Sequence, residues 1–260
     1  MRASAEAPAR PVRPRAAPVA RRSPRPRTRA FKAPSRARVV RIRDRLRELY
    51  GTPLMAPHGH PIAEYDRFLE CFIELAGVQR VSLIMHDWGA VGLVFAQRRP
   101  ELIERLVLIN AVTFLPGYRW HRTARIWRTP VLGELSMGIT GRRVLRLLSR
   151  ESNATPGPMP EEWLDGVLAH LDHGTQRAIL RLYRSSPTDA LEAAGAHLGR
   201  LDMPALVAWG MRDPYIPERF GRAFADAIPG AELLELPDAG HWPWLDRPDL
   251  VERLVAFVTA

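Results

Sequence analysis

The sequence holds one cysteine, Cys71, so it can form no internal disulfide and no cysteine-based zinc site. Cys71 falls in a helical pattern and is expected to serve as a small buried apolar residue. No apolar run approaches the roughly 18–20 residues of a membrane span. The basic N-terminus lacks the apolar stretch of a secretory signal, and Arg21-Arg22 runs on into Pro and Arg where a twin-arginine signal would turn hydrophobic. A cytoplasmic chain without a membrane partner is therefore expected. Acids are scarce at the start: residues 1–50 carry 15 Arg and one Lys against three acids, a balance of +13 out of the chain's +10. Residues 51–260 thus carry −3, an ordinary value for an enzyme, and the basic character belongs to a tail.

Residues 1–38 are Arg, Pro, Ala and Ser with seven prolines and almost no large apolar side chain. Such a segment cannot offset its ordering entropy by burial and is expected to be disordered. Phe31 alone is available there to stack on a base, so a nucleic-acid partner is not expected. Residues 39–49 suit a short basic amphipathic helix. From Ile62 onward, Tyr65, Phe68, Leu69, Phe72, Ile73 and Ala76 recur at helical spacing until Gly77.

Residues 81–85 read as a strand, followed by a helix over about 89–98, and Arg105–Asn110 reads as a second strand of the buried parallel type. Residues 113–200 show helical segments near 120–128, 142–150, 161–172 and 175–184 and no strand. Strand–helix alternation then resumes: strand 205–209, helix 217–228, strand 232–236, helix 248–258. The expected architecture is α/β, a parallel sheet with flanking helices. Residues 39–112 and 201–260 would form the core and 113–200 an inserted helical cap.

The run Val81-Ser82-Leu83-Ile84-Met85 ends in His86-Asp87-Trp88-Gly89, a strand turning sharply into a helix with Asp87 at the apex. An apex side chain stands above the C-terminal edge of the sheet, where it can attack a substrate. A serine there needs a base first. An aspartate, with a reference pKa of about 3.9, is ionised at neutral pH and can attack carbon directly. Two later strands run into loops that carry Asp213 (Gly210-Met211-Arg212-Asp213-Pro214) and His241 (Asp238-Ala239-Gly240-His241-Trp242) at the same sheet edge. His58, His60, His121, His170, His173 and His197 share no ligand spacing with a carboxylate or cysteine, so no metal site is expected.

These three segments, in this order, resemble the α/β-hydrolase superfamily, and in particular its aspartate-nucleophile branch of epoxide hydrolases and haloalkane dehalogenases. The resemblance covers roughly residues 62–260. It implies a cofactor-free hydrolase acting on a small molecule, with Asp87 as nucleophile, His241 as the base that activates water, and Asp213 orienting the imidazole. The backbone N–H of Trp88 would donate to an oxyanion, and its indole to a leaving halide. Epoxide opening would need a proton donor. Tyr183, 30 residues before Asp213, and Tyr118, at the start of the cap segment, are the candidates. Tyr183 beside Leu180 and Leu182 equally suits core packing, and Tyr118 beside Pro116-Gly117 suits a loop. His86 is expected to pack rather than act as a base.

The sequence departs from the family before the elbow. Only residues 39–61 lie between the tail and the first clear helix, where relatives have several strands. Pro57-His58-Gly59-His60-Pro61 has the letters of a His-Gly oxyanion loop, yet Gly59 lies 28 residues before Asp87, with a helix and a strand to fit between. Two consequences are expected: an apolar elbow strand at an open sheet edge, and, as an alternative function, a truncated and catalytically impaired remnant. Met85, where relatives often have a small residue, is expected to crowd the turn.

Overall fold

Alternation along two apolar strands sets the layers of the molecule. The computed structural model describes residues 61–260. The tail 1–38, the helix suggested for 39–49, the loop over 57–60, and His58 and His60 lie outside the described residues. Four strands, β1 (Val81–Asp87), β2 (Ile103–Ala111), β3 (Ala205–Gly210) and β4 (Glu232–Leu236), pair in the order β1-β2-β3-β4, every pairing parallel. Because successive side chains of a strand point to opposite faces, Leu106, Leu108, Val207 and Trp209 enter one apolar cluster, while Val107, Ile109, Leu206 and Ala208 enter another. Both faces are thus apolar, as a parallel sheet buried between helices requires.

The first face is covered by α1 (Pro61–Ala76), α2 (Gly92–Arg98) and α9 (Arg219–Ala227), through Ile62, Ile73, Leu93, Phe95, Phe220 and Phe224. The second is covered by α11 (Asp249–Thr259), through Leu250 and Leu254, with Trp244 of the short helix α10 (Pro243–Asp246) beside them. All six residues of β3 are buried. Among the described residues β1 pairs with β2 alone, and its Ile84 is 50% exposed. Cys71, on α1, is half-buried rather than fully buried.

Between β2 and β3 the described backbone is helical: α3 (Arg122–Arg128), α4 (Leu132–Gly138), α5 (Arg142–Leu148), α6 (Glu161–His170), α7 (His173–Arg184) and α8 (Thr188–Ala194). The helix expected over 161–172 stops at His170 because Asp172 caps the next one, accepting from the Thr175 N–H at 2.7 Å. His170 and His173 therefore lie on different helices. The seven-residue helices α4 and α8 were not expected from the sequence.

Candidate active site

The chain leaves β1 through a backbone conformation that few residues adopt: Asp87 has φ 49° and ψ −122°. Its carbonyl accepts from Val112 N at 3.0 Å, fixing the turn against the end of β2. Met85 does not crowd it. The side chain is 3% exposed and packs over Gly92, where a Cβ would lie 2.9 Å from the Met85 sulfur, so the absent side chain of Gly92 makes the room.

Asp213 and His241 meet behind this elbow. His241 Nδ1 donates to Asp213 Oδ2 at 2.8 Å. The same oxygen accepts from Asn110 Nδ2 at 2.7 Å, and Oδ1 accepts from the N–H groups of Tyr215 (2.7 Å) and Ile216 (3.1 Å). Four donors converge on a side chain with no exposed surface and fix its orientation. Asn110, the last residue but one of β2, has φ 38°, and its side chain also donates to Gly210 O (3.1 Å) and accepts from Gly210 N (2.8 Å). It ties β2 to the loop that carries Asp213. By its resemblance the sequence marked Asn110 as the strand-end position where some relatives keep an acid or a halide contact, not as a partner of Asp213.

Asp87 and His241 line one cavity of about 250 Å³, whose walls include Tyr118, Trp120, Tyr183, Tyr215 and Trp242. An engineered 150 Å³ cavity accepts benzene, so this one has room for on the order of ten non-hydrogen atoms. Burial pushes the Asp87 carboxyl upward, His241 opposes this, and Asp213 adds to it. Burial alone would lower His241, but its bond to Asp213 and the charges of Asp213 and Asp87 carry it above its ordinary 6.5. His86 sits behind His241, with ring centroids 4.7 Å apart and its Nε2 bonded to the His241 carbonyl at 2.8 Å. Burial, then the charge of His241, drive His86 down to about 3, so it is neutral and packs as expected.

Both sequence-selected tyrosines reach the cavity. Tyr118 lies in the loop after β2, as read, and is 4% exposed there, edge-on to Trp120 and Phe220. Tyr183 is buried against Trp88, Trp120 and Trp127 with centroids 5.0–5.2 Å apart. Burial and then the Asp87 charge push both phenols upward, keeping them protonated. Trp88 stacks on Trp120 at 5.6 Å, and the indole nitrogens of both are buried without a hydrogen-bond partner.

The sequence reading missed Trp120, His121 and Tyr215. Tyr215 stands edge-on to His241 at 5.0 Å, bonds Ser152 Oγ at 3.1 Å, and is raised to about 12 chiefly by burial. Burial lowers His121 to about 4, and its Nδ1 caps α3 by accepting from Ala124 N. No periodicity marks these residues, since they sit in loops or at helix starts. Among the described residues no group of three His, Cys, Asp or Glu is placed to hold a metal ion, and no helix is long and apolar enough to cross a membrane.

A family model described as the alpha/beta hydrolase family matches residues 46–254. The chain belongs to this family. A haloalkane dehalogenase of Bradyrhizobium diazoefficiens is 27% identical over 229 residues, covering 74% of this chain and 70% of that protein. An uncharacterized protein of Mycobacterium tuberculosis is 25% identical over 226 residues, covering 75% of this chain, and the chain spans 62% of that relative's length. The crystal structure of haloalkane dehalogenase DbeA from Bradyrhizobium elkani superposes with a TM-score of 0.63 at 24% identity, covering 77% of this chain and 74% of that one. As an α/β hydrolase, the chain has its elbow, acid loop and histidine loop on the strand ends where the family's fold carries a site.

Proposed function

We propose that this α/β hydrolase opens an epoxide, or displaces halide from an alkyl halide, through an ester formed on Asp87. The observation that carries the reading is a carboxylate, not a hydroxyl, at the φ 49° apex, lining the same cavity as an imidazole held by Asp213. An Asp87 oxygen attacks carbon, and the bond from that carbon to the epoxide oxygen or halogen breaks. An epoxide oxygen takes its proton from Tyr183 or Tyr118, whose raised pKa values keep that proton available. A halide takes no proton; the Trp120 indole N–H, buried without a partner on the cavity wall, is a donor for it, with the Trp88 indole stacked beside it. Buried donors are seldom left unsatisfied, which favours an acceptor arriving with substrate.

In the second half-reaction His241 Nε2 removes a proton from water. The water oxygen attacks the ester carbonyl, with the Trp88 backbone N–H donating to the oxygen that gains charge. Collapse breaks the bond from the carboxyl carbon to the ester oxygen, which takes the proton from His241 and leaves as the alcohol (a diol from an epoxide). Asp87 returns as carboxylate when the water's second proton passes to the phenolate in the epoxide branch or to solvent in the halide branch. The dehalogenase relative supports the halide branch, and the two cavity phenols support the epoxide branch.

The test is intact mass after substrate addition. His241→Gln should accumulate a covalent adduct at Asp87, heavier by the whole substrate for an epoxide and by substrate less hydrogen halide for a haloalkane. Asp87→Asn should initially show none. Tyr118→Phe with Tyr183→Phe should slow adduct formation by epoxides, by about 10²-fold or more, and leave haloalkanes little affected. No adduct on His241→Gln across a panel of both substrate classes refutes the proposal.

A further inference from the structure

Twelve large hydrophobic side chains are exposed among the described residues, and seven of them fall between Ile126 and Leu148. Val131, Leu135 and Ile139 recur every four residues with Leu132 beside them, a stripe down the outside of α4 and into the turn before α5. Leu147 and Leu148 follow at the end of α5. Ile139 and Leu147 are each 68% exposed. The opposite side of α4 is apolar too: Gly133 and Met137 are buried, and Ser136 and Met137 line the cavity. A surface helix normally turns a polar face outward, and single exposed apolar residues mean little while a stripe marks an interaction site. Val131, a β-branched residue held outward at φ 70°, adds backbone strain to the exposure.

Within residues 119–150 the charge is one-sided, although Arg122, Arg142 and Arg146 pair with Glu151, Glu161 and Asp165 beyond them. Residues 119–150 contain eight arginines and one acid, Glu134, which is already paired with Arg184. Arg125, Arg143 and Arg150 are exposed and have no ion pair among the described residues. Aliphatic side chains bordered by arginines suit a medium with anionic oxygens at its surface and hydrocarbon below. A nucleic acid would instead call for aromatic platforms on the exposed surface.

We propose that the α4–α5 face docks on the surface of an anionic phospholipid bilayer, with the aliphatic stripe at the acyl boundary and the arginines on headgroup phosphates. The docked protein lies on the membrane and does not span it. The two docking helices also wall the cavity through Ser136, Met137 and Leu145, so docking sets the site against lipid.

Flotation of the full-length chain with phosphatidylcholine vesicles, and with vesicles enriched in phosphatidylglycerol, tests this. The wild-type chain should float with the phosphatidylglycerol vesicles. Leu135→Ser with Ile139→Ser leaves every charge in place, including the basic N-terminal residues, and should lower the partition coefficient about tenfold. Arg125→Gln with Arg143→Gln should lower it as well, and added salt should weaken the wild type. Unchanged melting and unchanged turnover of a water-soluble substrate would show that neither pair disturbs the fold, and keep this test independent of the proposed chemistry. Equal flotation of wild type and Leu135→Ser/Ile139→Ser overturns the proposal, as does a wild type that does not float. A dimer that the serine pair dissociates, with no flotation of either, would instead assign the face to a second copy of the chain and likewise overturn it.

Discussion

Replacing Asn110 by aspartate changes one donor into an acceptor at the most tightly held point behind the cavity. The Asn110 amide nitrogen lies 2.7 Å from Asp213 Oδ2 and 3.1 Å from the Gly210 carbonyl. An aspartate of the same shape would set two carboxyl groups together. Two full charges at that distance repel by about 6 kcal/mol at an effective dielectric of about 20. Keeping one proton on the pair at about pH 7 costs roughly 4 kcal/mol from a reference pKa near 3.9, so the pair holds a proton rather than two charges. The folded variant then binds more protons than the unfolded chain, and its stability falls as pH rises. Asn110→Asp is therefore expected to be destabilised by up to about 4 kcal/mol near pH 7, the deficit shrinking by about 1.4 kcal/mol per unit as pH drops toward about 4. Chemical unfolding of wild type and variant across that pH range reads both numbers. A deficit that does not change with pH, or one under about 1 kcal/mol near pH 7, would refute the clamp described here.

The base proposed at His241 must be neutral to take a proton from water, so activity is present above its pKa and lost as pH falls through it. Part of its upward shift comes from the charge of Asp87, which disappears once Asp87 is an ester. The acid limb of single-turnover ester hydrolysis should consequently lie below the His241 titration seen by NMR in the free protein, and a limb at or above that titration contradicts the arrangement. Gly210 faces a different constraint, because a Cβ there would sit 2.1 Å from Gly240 O and 2.8 Å from Ala239 O. Gly210→Ala should cost about 1–3 kcal/mol by overpacking and, by shifting the loop that carries His241, roughly 10² in turnover. Wild-type melting together with wild-type turnover would show that the two loops are not in contact.

What the sequence revealed follows from which signals are periodic. Strand β4 (ELLEL) spans Glu232–Leu236 as read, and β2 extends the expected 105–110 by two residues at its start and one at its end, its buried apolar run carrying its own signal. Helices α4 (LGELSMG) and α8 (TDALEAA) escaped because seven residues give barely two turns. In α4 the period is also masked by apolar residues on both sides. Asp87, Asp213 and His241 were legible as chemistry-bearing residues just past strand ends, and the structure gathers them at one sheet edge. Asn110, Tyr215 and Trp120 were not, since their placement depends on how loops from different strands cross, which no local pattern encodes. Tyr118 is the loop residue it was read as, but nothing local signalled that Phe220 and Trp120 would enclose it.

His241 is held at its backbone as well as at its ring, and the backbone contacts join the helical insert to the sheet. Its N–H donates to Ser152 O at 2.8 Å and its carbonyl is bonded to His86 Nε2, one residue before the elbow aspartate. Asp246 Oδ2 accepts from Gly240 N (2.8 Å) and also from Ala154 N (3.1 Å), fastening the loop before His241 and the segment after Ser152 to one carboxylate. Ser152 Oγ meanwhile bonds Tyr215, whose N–H holds Asp213. Residues 152–154 of the insert are thereby bonded both to the histidine loop and to the loop that orients the imidazole. A displacement of that segment would break the His241 N–H bond and the Ala154 bond together, leaving polar groups unpaired at about 1–3 kcal/mol each where they stay buried. Among the described residues α4 and α5 make no hydrogen bond to the sheet or to these loops, so opening of the cavity is least costly on their side.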